Sequence, residues 1–230
     1  MPYSAQASNL VFKDITEHIS SGQWAPGMKI ETEEQLCSRL GVSRIAVRQA
    51  IEKLSALSVL RKVQGSGTYV NSFKDASLLG MIYYPPTRET MRTVLEFRRM
   101  FDSYNAQLFV QYASPEELAE LEENYRMMSS LRDEPKAFQE YESSFHHLIA
   151  AGTNNVIIQQ ISTMLTELLA WHQALQYDNI GPDNSIIWHG RILDAIREGD
   201  GELASLCTRI HIDKSIEYIE RKEDFPKGKK

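Results

Sequence analysis

Two short helical patterns, separated by one glycine and followed by a β-prone stretch, constrain this fold more than any other feature of the sequence. Thr32 and Gln35 form a capping box at the start of the first pattern, and Gly41 ends it. Ser43 caps the second pattern, "SRIAVRQAIEKLSAL". We predict a helix over residues 8–21 before them and a β-hairpin in "VLRKVQGSGTYVNSF" after them. Three helices followed by a hairpin is the order of a winged helix-turn-helix domain.

The apolar residues of these helices predict which faces are buried. Ser8 is expected to cap the first helix, because apolar residues follow it at helical spacing. The third helix is expected to bury one stripe, formed by Ile45, Val47, Ile51, Leu54 and Leu57. Arg44 and Arg48 are four residues apart and therefore share a face of the same helix.

The distribution of charge singles out this helix as a candidate DNA-binding element. The chain has a net charge of −6, yet residues 1–75 contain 9 Lys and Arg against 7 Asp and Glu, which leaves −8 for the rest. A helix-turn-helix contacts bases with the first residues of its second helix, where Arg pairs with guanine and Gln with adenine. Glycines at the wing tip allow close approach to DNA. The candidate DNA-binding residues are Thr32, Ser43, Arg44, Arg48, Gln49, Gly65 and Gly67. An arginine pair taken alone is more typical of a solvated helix face.

Composition argues against several classes of protein. No segment has the apolar length of a transmembrane helix, and the first residues do not have the pattern of a secretory signal. Cys37 and Cys207 form neither a disulfide framework nor a zinc ribbon. A cytoplasmic protein is therefore expected.

The remainder of the chain has an almost wholly helical pattern. We predict a mainly α protein, in which a winged helix-turn-helix domain at 8–73 is joined by a linker at 74–89 to a bundle of six or seven helices at 90–222. Residues 223–230 are expected to form a tail.

Histidines in the helical region form a candidate metal site. Glu142 and His146 are four residues apart and point from one helical face, while His189 and His211 lie on later predicted helices. A bundle can bring such side chains together, and one carboxylate with three imidazoles suits a divalent metal such as Zn, Ni or Co. Histidine on an amphipathic helix is, however, more often a surface or hydrogen-bonded core residue.

Residues 8–71 resemble the GntR family of bacterial transcription regulators. The resemblance is carried by Pro26-Gly27, Thr32-Glu33, Leu40 to Arg44, Val47-Arg48, Ala50 and Gly65 to Val70. Glu34 departs from the Arg that contacts DNA in many relatives, and Gln49 departs from a common Glu. The operator recognised by this chain is therefore expected to differ from those of similar proteins.

Residues 88–222 resemble the FCD ligand-binding domain of the FadR branch of that family. The matching residues are Glu142, Phe145-His146, Asn155, His189, Ile192, Ala195-Ile196, Gly199-Asp200 and His211. The resemblance implies a metal in a central cavity of the bundle, with Glu142 standing where Asp is usual. It also implies that Arg98 and Asn155 contact an effector, although Arg98 also fits a surface salt bridge with Glu96 or Asp102, and Asn155 fits a helix cap.

Together these observations predict an effector-responsive transcription regulator, a repressor that binds a palindromic operator as a homodimer. A small carboxylate-bearing effector would bind at a metal-containing pocket of the helical domain and alter the presentation of the DNA-binding heads. The chain is not expected to be an enzyme, because the sequence contains no separate candidate general base and no nucleophile elbow. Three alternatives are nevertheless kept: a metal-ion sensor, a metal-dependent hydrolase fused to a DNA-binding head, and an architectural DNA binder without an effector.

Overall fold

The computed structural model describes the backbone of residues 2–180 and 182–221 and the side chains of residues 5–169 and 182–221. The chain divides into two compact units, the first ending at Pro86 and the second beginning at Thr87. The tail predicted at 223–230 lies outside the described residues. No described helix is long and apolar enough to cross a membrane.

The first unit is a winged helix-turn-helix, as the sequence predicts. Its helices are α1 (Pro2–Ser20), α2 (Glu33–Leu40) and α3 (Arg44–Ala56), and its strands are β1 (Leu60–Val63) and β2 (Gly67–Val70). A 3₁₀ helix follows at Leu78–Tyr83, inside the segment predicted as a linker.

The first helix differs from its predicted limits. Ser8 was expected as its N-cap, and this prediction is wrong, because α1 begins six residues earlier at Pro2 and Ser8 is a buried residue within it. The residues Ala5, Gln6 and Ala7 have high helix propensity, so the helix continues upstream of the serine instead of ending there.

The turn between α2 and α3 has the predicted caps. Thr32 and Gln35 form the reciprocal bonds of a capping box, and Ser43 Oγ accepts a hydrogen bond from the amide of Ala46. Gly41 adopts a left-handed conformation with φ of +65°, which ends α2 where a residue with a Cβ would be strained. These local interactions fix the angle at which α3 leaves the turn.

The core of the first unit lies between α1, α3 and the hairpin, and it corrects one prediction. Val47, Ile51 and Leu54 are buried, but Ile45 is 66% exposed. Two residues along a helix correspond to a rotation of about 200°, so Ile45 and Val47 point to nearly opposite faces. Because the buried stripe contains Val47, Ile45 is placed on the surface.

The wing is an antiparallel hairpin with a tight glycine-containing turn. Leu60 pairs with Val70 and Val63 with Gly67. Gly65 and Gly67 have φ of +73° and +141°, values that only glycine adopts readily. A Cβ at Gly67 would also overlap the side chain of Lys29. Glycine is therefore required at both positions by the backbone of the wing.

The second unit consists of six helices in the described residues, which agrees with the predicted bundle. They are α4 (Arg88–Tyr112), α5 (Pro115–Ser130), α6 (Pro135–Ala151), α7 (Val156–Ile180), α8 (Asp183–Arg197) and α9 (Gly201–Arg221). Helix α4 packs along α9 and also contacts α6, α7 and α8. A polar side chain on the inner face of α4 can therefore meet side chains from the helices around it.

Candidate functional site

The N-terminal end of α3 presents a continuous exposed surface. Arg44, Ile45, Arg48 and Gln49 are all exposed, whereas Ala46, Val47 and Ala50 are buried beneath them. Arg side chains bind guanine, the Gln amide binds adenine, and an apolar side chain such as that of Ile45 contacts the methyl group of thymine. The surface therefore carries the chemistry needed to read base edges. Ile45 was missed by the sequence analysis because it was assigned to the buried stripe.

Two of the basic residues near this surface are paired within the protein. Arg48 Nε donates to Glu33 Oε2 at 2.8 Å, and this hydrogen bond raises the pKa of the exposed guanidinium. Arg39 donates hydrogen bonds to the carboxylate of Asp14 and to the carboxylate of Glu31. Arg48 is exposed enough to exchange its partner for DNA, while Arg39 is engaged in holding α2 to α1 and the preceding loop.

The remaining predicted DNA contacts have structural roles of their own. The hydroxyl groups of Thr32 and Ser43 accept amide hydrogen bonds at the helix starts. The wing tip is stiffened by a hydrogen bond between the hydroxyl groups of Ser66 and Tyr69, and Arg61 lies over the Tyr69 ring at 5.2 Å from its centroid. Gly65 and Gly67 sit at this tip; the backbone at Gly65 is uncovered, whereas the side chain of Lys29 lies against Gly67.

In the second unit, His146, His189 and His211 come together in the interior of the bundle. They are supplied by α6, α8 and α9, and their candidate ligand atoms all lie within 4.8 Å of one another. Each side chain is buried, with His189 fully inaccessible. The ring of Phe145 stands edge-on to that of His189 and packs the cluster from one side. Side chains far apart in sequence thus form one buried polar group.

Hydrogen bonding determines which nitrogen of His189 is available. His189 Nδ1 lies 2.7 Å from the carbonyl oxygen of Ser185, so it must donate its proton there, and Nε2 carries the lone pair. That Nε2 faces His146 Nε2 at 3.0 Å. Burial lowers the pKa of His189 to about 3, and the pKa values of His146 and His211 also lie well below the usual value, first because of burial. All three imidazoles are therefore neutral near pH 7.

A buried ion pair on α4 completes this polar group. Arg98 Nε donates to Asp102 Oδ2 at 2.5 Å, and the same oxygen lies 3.5 Å from His146 Nδ1. Burial raises the pKa of Asp102, although Arg98 opposes this effect. Arg98 was expected either in the cavity or in a surface salt bridge. The structure combines parts of both: Arg98 lines the small cavity beside the histidines and pairs with Asp102, but this salt bridge is buried and not on the surface. The sequence analysis named Asp102 only as a surface partner and not as part of the site.

Glu142 lies outside the histidine group. Its Oε1 accepts a hydrogen bond from Ser185 Oγ at 2.7 Å, and burial raises the pKa of the carboxyl group. Within the described residues, the group of candidate ligand atoms contains the three histidines only. Ser185 therefore contacts both Glu142, through its hydroxyl, and His189, through its carbonyl. Its role had no recognisable signal in the sequence.

Asn155 is an exposed cap of α7. Its Oδ1 accepts hydrogen bonds from the amides of Ile157 and Ile158, at 3.0 and 3.4 Å. The small cavity beside the histidines is instead lined by residues of α4, α6 and α7, among them Arg98, Asp102 and His146. The cap alternative raised for Asn155 is the arrangement seen in the structure.

The divalent metal expected from the sequence fits the residues of this cluster. Three neutral imidazoles converge, His211 Nδ1 is buried without a hydrogen-bond partner among the described residues, and two Nε2 atoms face each other at short range. Zinc and other borderline divalent ions prefer such nitrogen ligands. Outer hydrogen bonds such as that from His189 to Ser185 are typical of metal-ligating histidines.

Comparison with known proteins decides the family. Residues 93–214 match the model of the FCD domain, which is more than half of the chain, and residues 7–70 match that of bacterial regulatory proteins of the gntR family. The chain belongs to the GntR family and carries an FCD domain. It is therefore a transcription regulator, and FCD domains bind metal ions in some members of the family.

Individual GntR relatives cover most of this chain. It is 23% identical to the HTH-type transcriptional regulator LutR of Bacillus subtilis, over 84% of this chain and 92% of LutR. It is 22% identical to the galactonate operon transcriptional repressor of Escherichia coli, over 89% and 93% of the two chains. Among solved structures, Lar, which controls expression of the Listeria monocytogenes agr system, has a TM-score of 0.72 at 16% identity, covering 94% of this chain and 97% of that chain.

These relatives also decide between a transcription regulator and an enzyme, two classes of protein considered from the sequence. The matched proteins are regulators of transcription rather than enzymes, in agreement with the expectation that the chain is not a hydrolase. GntR regulators bind operator DNA and typically act as dimers.

Proposed function

We propose that this GntR regulator is a repressor controlled by a small organic acid, which binds beside a divalent metal held by His146, His189 and His211. The observation that carries the proposal is the convergence of three neutral imidazoles next to a buried guanidinium, that of Arg98. A cation and an arginine together provide a site for a carboxylate. Such a ligand controls DNA binding only if it binds the DNA-competent and incompetent states with different affinity.

The metal would be held by imidazole nitrogens. Ser185 and Asp102 lie next to the ring nitrogens of His189 and His146 that face away from the metal. Ser185 already fixes His189 with Nδ1 protonated, which directs the Nε2 lone pair into the cluster. A proton on His146 Nδ1 would face the Asp102 carboxylate, which is 3.5 Å away. A metal at this position supplies a Lewis-acidic site for the effector carboxylate. Glu142 remains a candidate ligand, provided that its carboxylate leaves Ser185.

Operator binding is proposed to use the exposed end of α3 and the wing. Arg44, Arg48 and Gln49 would contact base edges or phosphates, and the backbone at Gly65 and Gly67 would approach the DNA. Thr32 and Ser43 lie at the helix starts, where amide groups and hydroxyls contact phosphates. A homodimer would present two such heads to a palindromic operator.

The surface of α4 supports the proposed homodimer. Phe97, Met100 and Tyr104 are 41%, 65% and 58% exposed and recur at spacings of three and four residues, so they form one apolar stripe. Exposed stripes of this kind are commonly covered by a partner. The cytoplasmic location expected from the sequence also remains a prediction.

Selection of DNA from a random pool, followed by ligand release, tests the proposal. The metal-loaded protein should retard a palindromic duplex, and a panel of organic acids that includes D-galactonate should release it. Galactonate is chosen because a relative is the galactonate operon repressor. The His189→Ala variant should bind the same duplex without responding to any acid. Release by metal alone, over a narrow concentration range, would instead identify a metal sensor, and weak binding to all duplexes would identify an architectural protein.

A further inference from the structure

The segment that follows the wing is packed onto the first unit and ends in a buried tyrosine. The amide of Ser77 donates to the carbonyl oxygen of Leu57 at 3.0 Å, and a Cβ at Gly80 would lie only 2.4 Å from that oxygen. The 3₁₀ helix then leads to Tyr84, which is 7% exposed and belongs to the core of this unit. Only the two prolines at 85–86 follow before the second unit begins. Tyr84 is therefore the last core residue of the first unit along the chain.

The Tyr84 hydroxyl lies at the base of the wing, which is formed by Val59 and Asn71. Val59 immediately precedes β1, Asn71 immediately follows β2, and the Asn71 amide donates to the Val59 oxygen at 2.9 Å. The hydroxyl donates to the carbonyl oxygen of Asn71 at 3.1 Å and lies 3.4 Å from that of Val59. Burial raises the pKa of Tyr84 to about 12, so the hydroxyl keeps its proton near pH 7. One side chain thus contacts both ends of the hairpin.

The wing depends on contacts of this kind, because a hairpin of two strands is only marginally stable by itself. Strand β2 is hydrogen-bonded on its outer edge to residues 27–30, whereas the residues of β1 after Leu60 are exposed. The position of β1 is therefore determined mainly at its base. Loss of the Tyr84 hydroxyl would leave the partly buried oxygen of Asn71 without this donor, which destabilises the closed base.

We propose that Tyr84 is a positioning residue for operator binding, whose hydroxyl fixes the wing base and thereby holds the wing tip where it contacts DNA. The proposal rests on the wing contact proposed above, and Tyr84 is too buried to touch the DNA itself. The 4 residues of β1 span about 13 Å at about 3.3 Å per residue. A rotation of about 10° at the base would therefore move the tip at Gly65 and Gly67 by about 2 Å, enough to break a hydrogen bond.

Hydrogen exchange of single amides in the protein without DNA tests whether Tyr84 fixes the wing base. Tyr84→Phe keeps the ring, which stands edge-on to that of Phe73 at 5.9 Å between centroids, and removes only the hydroxyl. The Asn71 amide should exchange about fivefold faster in this variant, while the Ile51 amide inside α3 keeps its rate. Ile15→Val, a packing change in the core of the same unit, is the matched control and should not accelerate Asn71 selectively.

A double-mutant cycle with the palindromic duplex selected above tests whether Tyr84 acts through the wing. By fluorescence anisotropy, Tyr84→Phe should weaken binding of this duplex by about fivefold. In the background Arg61→Ala with Lys62→Ala, which removes two cations of the wing, the same change should cost less than about twofold. In the background Arg44→Ala the full loss should remain, because α3 is held by other contacts. Tyr112→Phe removes an exposed hydroxyl from α4 and should leave binding unchanged.

The outcomes separate this proposal from the proposed function. An Asn71 amide that exchanges at the wild-type rate in Tyr84→Phe overturns the role of Tyr84 at the wing base. No loss of affinity in Tyr84→Phe, or an equal loss with and without the wing cations, overturns its role in positioning the wing for DNA. If removal of the wing cations leaves binding of the duplex unchanged, the proposed wing contact fails together with the positioning role, and hydrogen exchange still decides whether Tyr84 fixes the wing base.

Discussion

The two candidate sites of this protein are built in opposite ways. The candidate DNA-reading surface lies on one exposed helix end and one turn, within residues 43–49 and 65–67, and its Arg48 forms an ion pair with Glu33 that water reaches. The histidine site is buried, is assembled from α4, α6, α8 and α9, and contains an ion pair with both side chains only 9% exposed. Exposed pairs exchange partners at little energetic cost, whereas buried pairs do not. The first site is therefore suited to forming and breaking contacts with DNA, and the second to holding a ligand in a fixed geometry.

The largest expected difference is in stability, between a variant of the bundle that lacks a buried paired arginine and one that lacks an exposed paired arginine. Arg98→Met should lower the free energy of unfolding of the apoprotein by about 3–5 kcal/mol, because it leaves Asp102 buried without its partner. Arg99→Met is the matched control, since Arg99 pairs with Asp213 on the surface and is 44% exposed, and it should change stability by less than about 1 kcal/mol. Urea denaturation measures both.

The double variant Arg98→Met with Asp102→Leu sharpens this test. Replacing a whole buried pair by apolar side chains is often neutral, so the double variant should recover most of the lost stability. A double variant as unstable as Arg98→Met would contradict the assignment of the loss to an unpaired carboxylate.

Metal binding should stabilise the bundle through the buried site. At a metal concentration about a thousand times its Kd, the free energy of unfolding should rise by about 4 kcal/mol, and a chelator should reverse this. His189→Ala should abolish the response. His147→Ala is the matched control, because His147 is a half-buried neighbour on α6 that lies outside the histidine group. Thermal unfolding with and without Zn²⁺ measures the effect, and a full response from His189→Ala would exclude that residue as a ligand.

Removing an arginine of the exposed surface should affect DNA binding and leave stability nearly unchanged. Arg44→Ala and Arg48→Ala should each weaken operator binding by about 1–3 kcal/mol, and the salt dependence should decrease where a phosphate contact is lost. The operator affinity of Arg61→Ala, a variant of the wing in the same unit, is compared with the affinities of the two α3 variants. Titration of a labelled operator by fluorescence anisotropy gives the affinities. Unchanged binding by both α3 variants would show that this helix end is not the reading surface.

The smallest expected effect concerns Ile45, which was predicted to lie in the core but is exposed on the surface. Ile45→Ala should relax the preference for thymine at one operator position by about 1 kcal/mol and should not lower stability, because the side chain is 66% exposed. Ile51→Ala, a buried residue of the same helix, should instead destabilise the domain by about 2–5 kcal/mol. Selection of operators with the Ile45→Ala protein measures the change in preference. A loss of stability comparable to that of Ile51→Ala would contradict the exposed position of Ile45 and indicate that its side chain is buried.

The winged helix-turn-helix was predictable because its signals are local. The capping residues Thr32 and Ser43, the left-handed turn at Gly41 and the glycines of the wing each act within a few residues of the backbone they shape. The errors arose where local signals compete. Ser8 has a capping side chain, but helix-forming residues precede it, and Ile45 is apolar although it lies opposite the buried stripe.

The helical composition of the second unit was also determined by the sequence, and its three histidines were singled out as metal-ligand candidates by their residue type and supported by a family resemblance. Their arrangement was decided only by the tertiary structure. Asp102, Ser185 and the pairing of Glu142 with Ser185 depend on which faces of α4, α6 and α8 meet, and no periodicity along one helix specifies its neighbour. Caps and turns are encoded by residues adjacent in the chain, so the sequence alone determines them. A buried polar site is formed by packing between distant helices, and only the folded chain brings its atoms within reach of one another.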